Sequence, residues 1–112
     1  MTDLKNKRCA PCNGEVEAMP KAKAEELLAE LGEGWELFAD AKMIRKDFKF
    51  KGFYKTMAFV NSVAWIANQQ VHHPDLEVGY GHCLVNYTTH EIDGLSINDF
   101  ICAAKIDALL QP

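Results

Sequence analysis

A long apolar-faced helix that runs straight into His72-His73-Pro74 limits the possible folds of this chain more than any other feature. Residues 53 to 70 form the longest periodic segment. Phe53, Met57, Val60, Ala64 and Ala67 run down one side, and Ala58, Val63 and Ile66 widen the stripe. A helix with so broad an apolar face suits packing on a sheet. Pro74 pins its own φ and pushes His73 out of the helical region, so the histidine pair sits where a helix stops and a strand begins. Two alternating runs follow, 76–80 and 83–89, with Gly79 and Gly81 at the join. Apolar or β-branched residues at every second position predict a β-hairpin.

The stretch from Asn68 to Asp99 holds all four histidines. A turn centred on Gly81 sets residue 80 opposite 82 and residue 72 opposite 90, and directly opposed Cβ atoms lie roughly 5 Å apart. The hairpin is therefore expected to return His90 to the neighbourhood of His72 and His73. A plainer reading is that the pair caps a helix, where an imidazolium is worth about 0.3–1 kcal/mol. Three converging imidazoles at an element end favour a site. His82, at the expected hairpin tip, reads as a solvated turn residue.

The rest of the chain supplies the partners of that helix and hairpin. Residues 1–17 lack periodicity and carry Pro11, Asn13 and Gly14, which predicts an irregular arm whose loss leaves stability and activity nearly unchanged. Residues 18–112 read as one domain. Ala24, Leu27, Leu28 and Leu31 follow helical spacing between Pro20 and Gly32. A short strand over 35–38, a turn at 40–42 and a strand over 43–50 come next, with Ile44, Phe48 and Phe50 on one face. Ser96 opens a last helix with Ile97, Phe100, Ile101, Ala104, Ala108 and Leu109 as its core side. The order α-β-β-α-β-β-α, with short turns inside each strand pair, predicts an α+β two-layer sandwich. Its four-stranded, mainly antiparallel sheet carries three helices on one face. Exposed sheet edges make pairing between subunits plausible.

Composition bounds the function classes. With 112 residues, 48% hydrophobic and 25% charged, the chain is an ordinary globular domain. A net charge of −4 argues against nucleic acid as a main partner, and the basic residues Arg45, Lys46, Lys49, Lys51 and Lys55 read as a solvated face. No signal peptide or membrane-length apolar run is visible, which leads to an expected cytoplasmic location. Cys9 and Cys12 form a C-x-x-C, either half a zinc site, a redox pair or, most simply, thiols in a mobile tail. Cys83 and Cys102 read as small core residues.

Histidine donates and accepts protons near neutrality, so a cluster suits a dehydration, with an acid for the departing hydroxyl and a base for the neighbouring proton. No nucleophile elbow and no phosphate loop is present. A three-histidine zinc site is disfavoured because adjacent residues in extended chain point opposite ways. Ser96 to Asp99 has capping-box spacing, which leaves Asp99 free also to face a pocket. Trp35 reads first as core and second as an aromatic wall for a flat ligand.

At these residues the chain resembles the pterin-4a-carbinolamine dehydratases. His72-His73-Pro74, Tyr80, His90 and Asp99 fall at that family's spacings, with Thr88-Thr89-His90 and Gly94-Leu95-Ser96 around them, and the likeness runs from about Pro20 to Leu110. Trp35 matches the family's pocket tryptophan. The resemblance implies loss of water from 4a-hydroxytetrahydropterin to give quinonoid dihydropterin, recycling the cofactor of aromatic amino-acid hydroxylases. It implies a homodimer or homotetramer, pterin as substrate, and no metal or organic cofactor. It makes His72, His73 and His90 the catalytic trio, with Trp35, Asn68, Pro74 and Asp99 as substrate-binding residues. Asn68 stands where the family usually has Glu, and an amide cannot supply the negative charge that favours an imidazolium. The alternative is a non-catalytic pterin- or protein-binding module, like the family members that act as dimerisation partners of a transcription factor.

Overall fold

The computed structural model describes residues 3–10 and 16–111. Its elements run α1 (Lys21–Leu28), β1 (Glu36–Phe38), β2 (Met43–Lys49), α2 (Phe53–Gln70), β3 (Asp75–Val78), β4 (His82–Tyr87) and α3 (Ile97–Ala108), with 3-10 turns at Leu4–Asn6 and His90–Ile92. The four strands form one sheet in the order β1-β2-β4-β3, and every neighbouring pair is antiparallel. This is the expected α+β arrangement. Among the described residues, no helix is long and apolar enough to cross a membrane.

Alternation along the strands decides which face is covered. Ile44, Phe48, Cys83, Val85 and Tyr87 are buried on one face, where Ile44 pairs with Tyr87 and Phe48 with Cys83. The other face mixes ion pairs with apolar side chains: Arg45 binds Glu36 at 2.7 Å and covers the exposed Phe38 ring, and Asp47 is shared between Lys49 at 2.8 Å and His82 Nδ1 at 2.9 Å. The basic residues expected on one solvated face are thus divided. Lys46 points to the core side and meets Asp107 of α3 at 3.3 Å.

Helix α2 has its expected ends but a different buried stripe. Thr56, Phe59, Val63, Ile66 and Ala67 face inward, whereas Phe53 is 54% exposed, and Ala58 and Ala64 are exposed too. The apolar residues of the helix spread over more than one face, so spacing alone could not select the inward one. Phe59 does: its ring lies 4.6 Å from Phe48 and 5.0 Å from Phe50, seating the helix on β2.

The hairpin register also differs from expectation by one residue. Gly79 pairs across to His82 through a 2.9 Å backbone bond, so Tyr80 and Gly81 alone make the turn and β4 starts at His82. Such a slip moves side chains between faces. His82 is consequently a strand residue, and its ring packs so closely on Gly79 that a Cβ there would lie 2.6 Å from it.

Within the segment expected as an irregular arm, the described residues 3–10 make specific contacts. Leu4 is buried in the core, and Lys105 Nζ donates to the Lys5 carbonyl at 2.8 Å. Cys9 N donates to Gln70 Oε1 at 2.9 Å, and Asn98 brackets Ala10 by accepting from its N–H at 3.0 Å and donating to its carbonyl at 2.7 Å. Cys12 lies outside the described residues.

Candidate active site

The end of α2 sets the site. Val71 adopts the left-handed conformation (φ 51, ψ 44) and closes the helix, with His72 N donating to Ala67 O at 3.2 Å. A β-branched residue is strained there. The strain turns the chain so that His72 points inward, 8% exposed, while Val71 is 79% exposed. His73 is exposed, and Pro74 then leads into β3.

His72 meets a carboxylate that is fully buried. Its Nε2 lies 2.6 Å from Asp99 Oδ1. Asp99 is the third residue of α3, and its other oxygen accepts from Thr89 Oγ1 at 2.8 Å and from Ser96 N at 3.0 Å. Thr89 Oγ1 is in turn 2.8 Å from Ser96 Oγ. The same carboxylate therefore caps the helix and orients the imidazole. The Tyr87 ring lies parallel to His72, 5.7 Å between centroids and 6° between planes.

Electrostatics favour a protonated His72. Burial alone would lower its pKa, but the hydrogen bond and charge of Asp99, helped by Cys9 and Glu91, outweigh burial and raise it. Beside it, burial holds the Tyr87 phenol un-ionised, its pKa pushed far up. The Tyr87 hydroxyl faces the Cys102 thiol without a hydrogen bond of good geometry.

A cavity of about 870 Å³ opens beside this dyad. Arg8 and Cys9 from the N-terminal segment, Gln70 and His72 from the end of α2, Glu91, and Asn98 and Lys105 from α3 line it. Of the residues expected at the site, His72 lines this cavity. Asp99 stands behind His72 at 0% exposure, while Asn68 is exposed on α2. His90 is not on the strand but in the 3-10 turn after it, exposed and next to Thr89. Trp35 is 7% exposed in the core, edge-on to Phe48 at 5.9 Å, and its Nε1 donates to the Asp107 carboxylate at 3.0 Å.

Tyr87, Gln70 and Asn98 were not singled out from the sequence, Cys9 was read only as half of a C-x-x-C, and Thr89 only as a neighbour of His90. Thr89 had a usable signal, since it lies directly before His90 and at the end of the strand opposite the His72 corner. Asn98 and Gln70 had none, because their partners are main-chain groups of a segment without periodicity. Among the described residues, no group of three or more His, Cys, Asp or Glu side chains is arranged to hold a metal ion.

Comparison with known proteins places these residues in a wider set. Residues 17–109 match the model of a family described as pterin 4 alpha carbinolamine dehydratase. A relative from Nitrosomonas eutropha that carries the pterin-4-alpha-carbinolamine dehydratase name is 56% identical over 96% of this chain and 94% of its own. One from Legionella pneumophila strain Corby with the same name is 52% identical over 97% of this chain and 96% of its own. A crystal structure titled as a transcriptional coactivator/pterin dehydratase from Brucella melitensis superposes with a TM-score of 0.79 at 27% identity. It covers 85% of this chain and 100% of its own.

Proposed function

The chain belongs to the pterin 4 alpha carbinolamine dehydratase family, and on that footing we propose that it removes water from a 4a-hydroxytetrahydropterin to give a quinonoid dihydropterin by histidine acid–base chemistry. The observation that carries this reading is the 2.6 Å contact of His72 with the fully buried Asp99 at the edge of a cavity. An imidazole whose pKa is raised by a carboxylate is suited to give a proton. His72 protonates the 4a-hydroxyl, which leaves as water. A base takes the proton of the neighbouring ring nitrogen as the new double bond forms, and exposed His73 and His90 are the candidates for it.

In this reading the expected substrate-binding residues divide. Asp99 has both oxygens engaged and acts through His72. Pro74 directs the chain at the histidine corner, and Asn68 can hydrogen-bond a pterin but brings no charge. Trp35, with its N–H already held by Asp107, contributes as a packed ring edge. A homodimer or homotetramer and a place in cofactor recycling for an aromatic amino-acid hydroxylase belong to the same proposal.

The test is dehydration of freshly generated 4a-hydroxytetrahydropterin by the parent, His72→Ala, His90→Ala and the double variant. Each single change is expected to lower the catalysed rate by about 10²-fold, and the double variant to fall less than additively. Parent-like rates in both single variants would remove the catalytic reading and leave a binding module.

A further inference from the structure

The N-terminal segment and α3 bring two sulfurs together that the dehydration does not use. Cys9 Sγ lies 3.5 Å from Cys102 Sγ, across 93 residues of sequence, and 3.7 Å from the Asn98 carbonyl. Cys102 is fully buried on α3, whereas Cys9 is half-buried and lines the cavity. The main chain around Cys9 is held at both Cys9 N and Ala10, so the sulfur is presented to Cys102 by hydrogen bonds on either side. We propose that Cys9 and Cys102 form a reversible thiol–disulfide site, oxidised by a small disulfide that enters the cavity.

The two thiols are unequal in the way that such exchange requires. The hydrogen bond from Cys102, with the charges of His72 and Lys105 beside it, pulls the Cys9 thiol below its ordinary pKa despite burial. The Cys102 thiol is pushed far up by Cys9 and by burial. Cys9, which lines the cavity while Cys102 is sealed in the core, is the thiolate that attacks. It bonds to one sulfur of the entering disulfide, whose S–S bond breaks and whose other half leaves as a thiolate and takes up a proton. Cys102 then loses its proton, attacks Cys9 Sγ, and expels the remaining half as a second thiol. Two protein thiols are oxidised and one small disulfide is reduced to two thiols. The sulfurs must approach by roughly 1.5 Å to reach bonding distance. Because Cys9 belongs to a segment outside the sheet and the long helices, that movement leaves the core in place. The bond would tie the segment across the cavity wall beside His72.

The experiment uses full-length protein under native conditions with oxidised glutathione as the oxidant, and it reads chemistry that does not depend on the pterin reading. Parent and Cys12→Ser are both expected to lose two hydrogens in intact mass. Peptide mapping should place the bond between residues 9 and 102, and dithiothreitol should reverse it. The oxidised form should unfold at least about 5 °C higher, since the bond closes a long loop. Cys9→Ser, a change in a half-exposed side chain, should show neither effect. A bond between Cys9 and Cys12, a lasting glutathione adduct on Cys9 of Cys12→Ser, or no reaction would each overturn the proposal.

Discussion

The imidazole of His72 and the ring of Tyr87 lie 6° from parallel with centroids 5.7 Å apart, so the imidazole at the cavity edge is held between an aromatic ring and the Asp99 carboxylate. A phenol kept neutral by burial offers no charge to the imidazole. Asp99 therefore sets its protonation, and Tyr87 sets its plane.

Asp99→Asn keeps the shape and removes the charge. The His72 pKa, raised in the parent, should fall in an NMR titration of its ring protons. If His72 is the general acid, the alkaline limb of the pH–rate profile should move to lower pH with it, and the rate should drop by about 10²-fold. The stability sign follows from linkage. The ion pair contributes fully below the unfolded histidine value of about 6.5 and is lost as pH rises through the higher folded value. The stability gap between parent and variant should therefore narrow on the alkaline side in urea titrations.

Val71→Gly tests the strained corner. A left-handed β-branched residue costs roughly 1–2 kcal/mol, and glycine returns part of that gain through chain entropy. A net stabilisation of about 0.5–1 kcal/mol is expected in chemical denaturation. The pH profile should stay unchanged, because His72 remains held by Asp99 and Tyr87.

Leu4→Ala tests whether the N-terminal segment belongs to the body. Leu4 is 3% exposed, and truncating a buried leucine typically costs about 2–5 kcal/mol. A loss near the lower end is expected, because a peripheral site can relax. A loss below about 0.5 kcal/mol would mean that the segment does not hold its place.

Asp107→Ala removes the acceptor of the Trp35 N–H, the Gly32 N–H and Lys46 at once. Leaving a buried donor unpaired costs about 1–3 kcal/mol. Stability should fall by that amount, and the emission of Trp35 should shift to longer wavelength. Trp65 is already 64% exposed and supplies a fixed background.

The architecture was legible wherever periodicity or punctuation was strong. Pro20, Gly52 and Pro74 bracket α1, α2 and the hairpin as expected, and Ser96 opens α3. Orientation was less legible. The inward face of α2 is chosen by Phe59 meeting Phe48 and Phe50, contacts that cross the sequence and leave no trace in a helix whose apolar residues spread over more than one face. The hairpin register turned on whether Tyr80 belongs to a strand or to the turn, a question of backbone geometry that alternation cannot answer. At the site, His72 and Asp99 were both singled out, but their direct bond was not. It depends on the αL residue Val71, a conformation that no valine advertises. The grip on the N-terminal segment was invisible because it rests on side-chain amides holding main-chain groups.

The docking of that segment has a consequence for the order of events during synthesis. Its partners come late: Lys5 waits for Lys105 and Cys9 for Cys102. These residues thus wait for partners made more than ninety residues later, about 5–20 s at common translation rates. Each hairpin can close as soon as its own strands are out, since β1 pairs with β2 and β3 with β4. Leu4 must remain uncovered throughout. The nascent chain therefore carries an undocked apolar segment while both hairpins form, and α3 is the clasp that ends this interval.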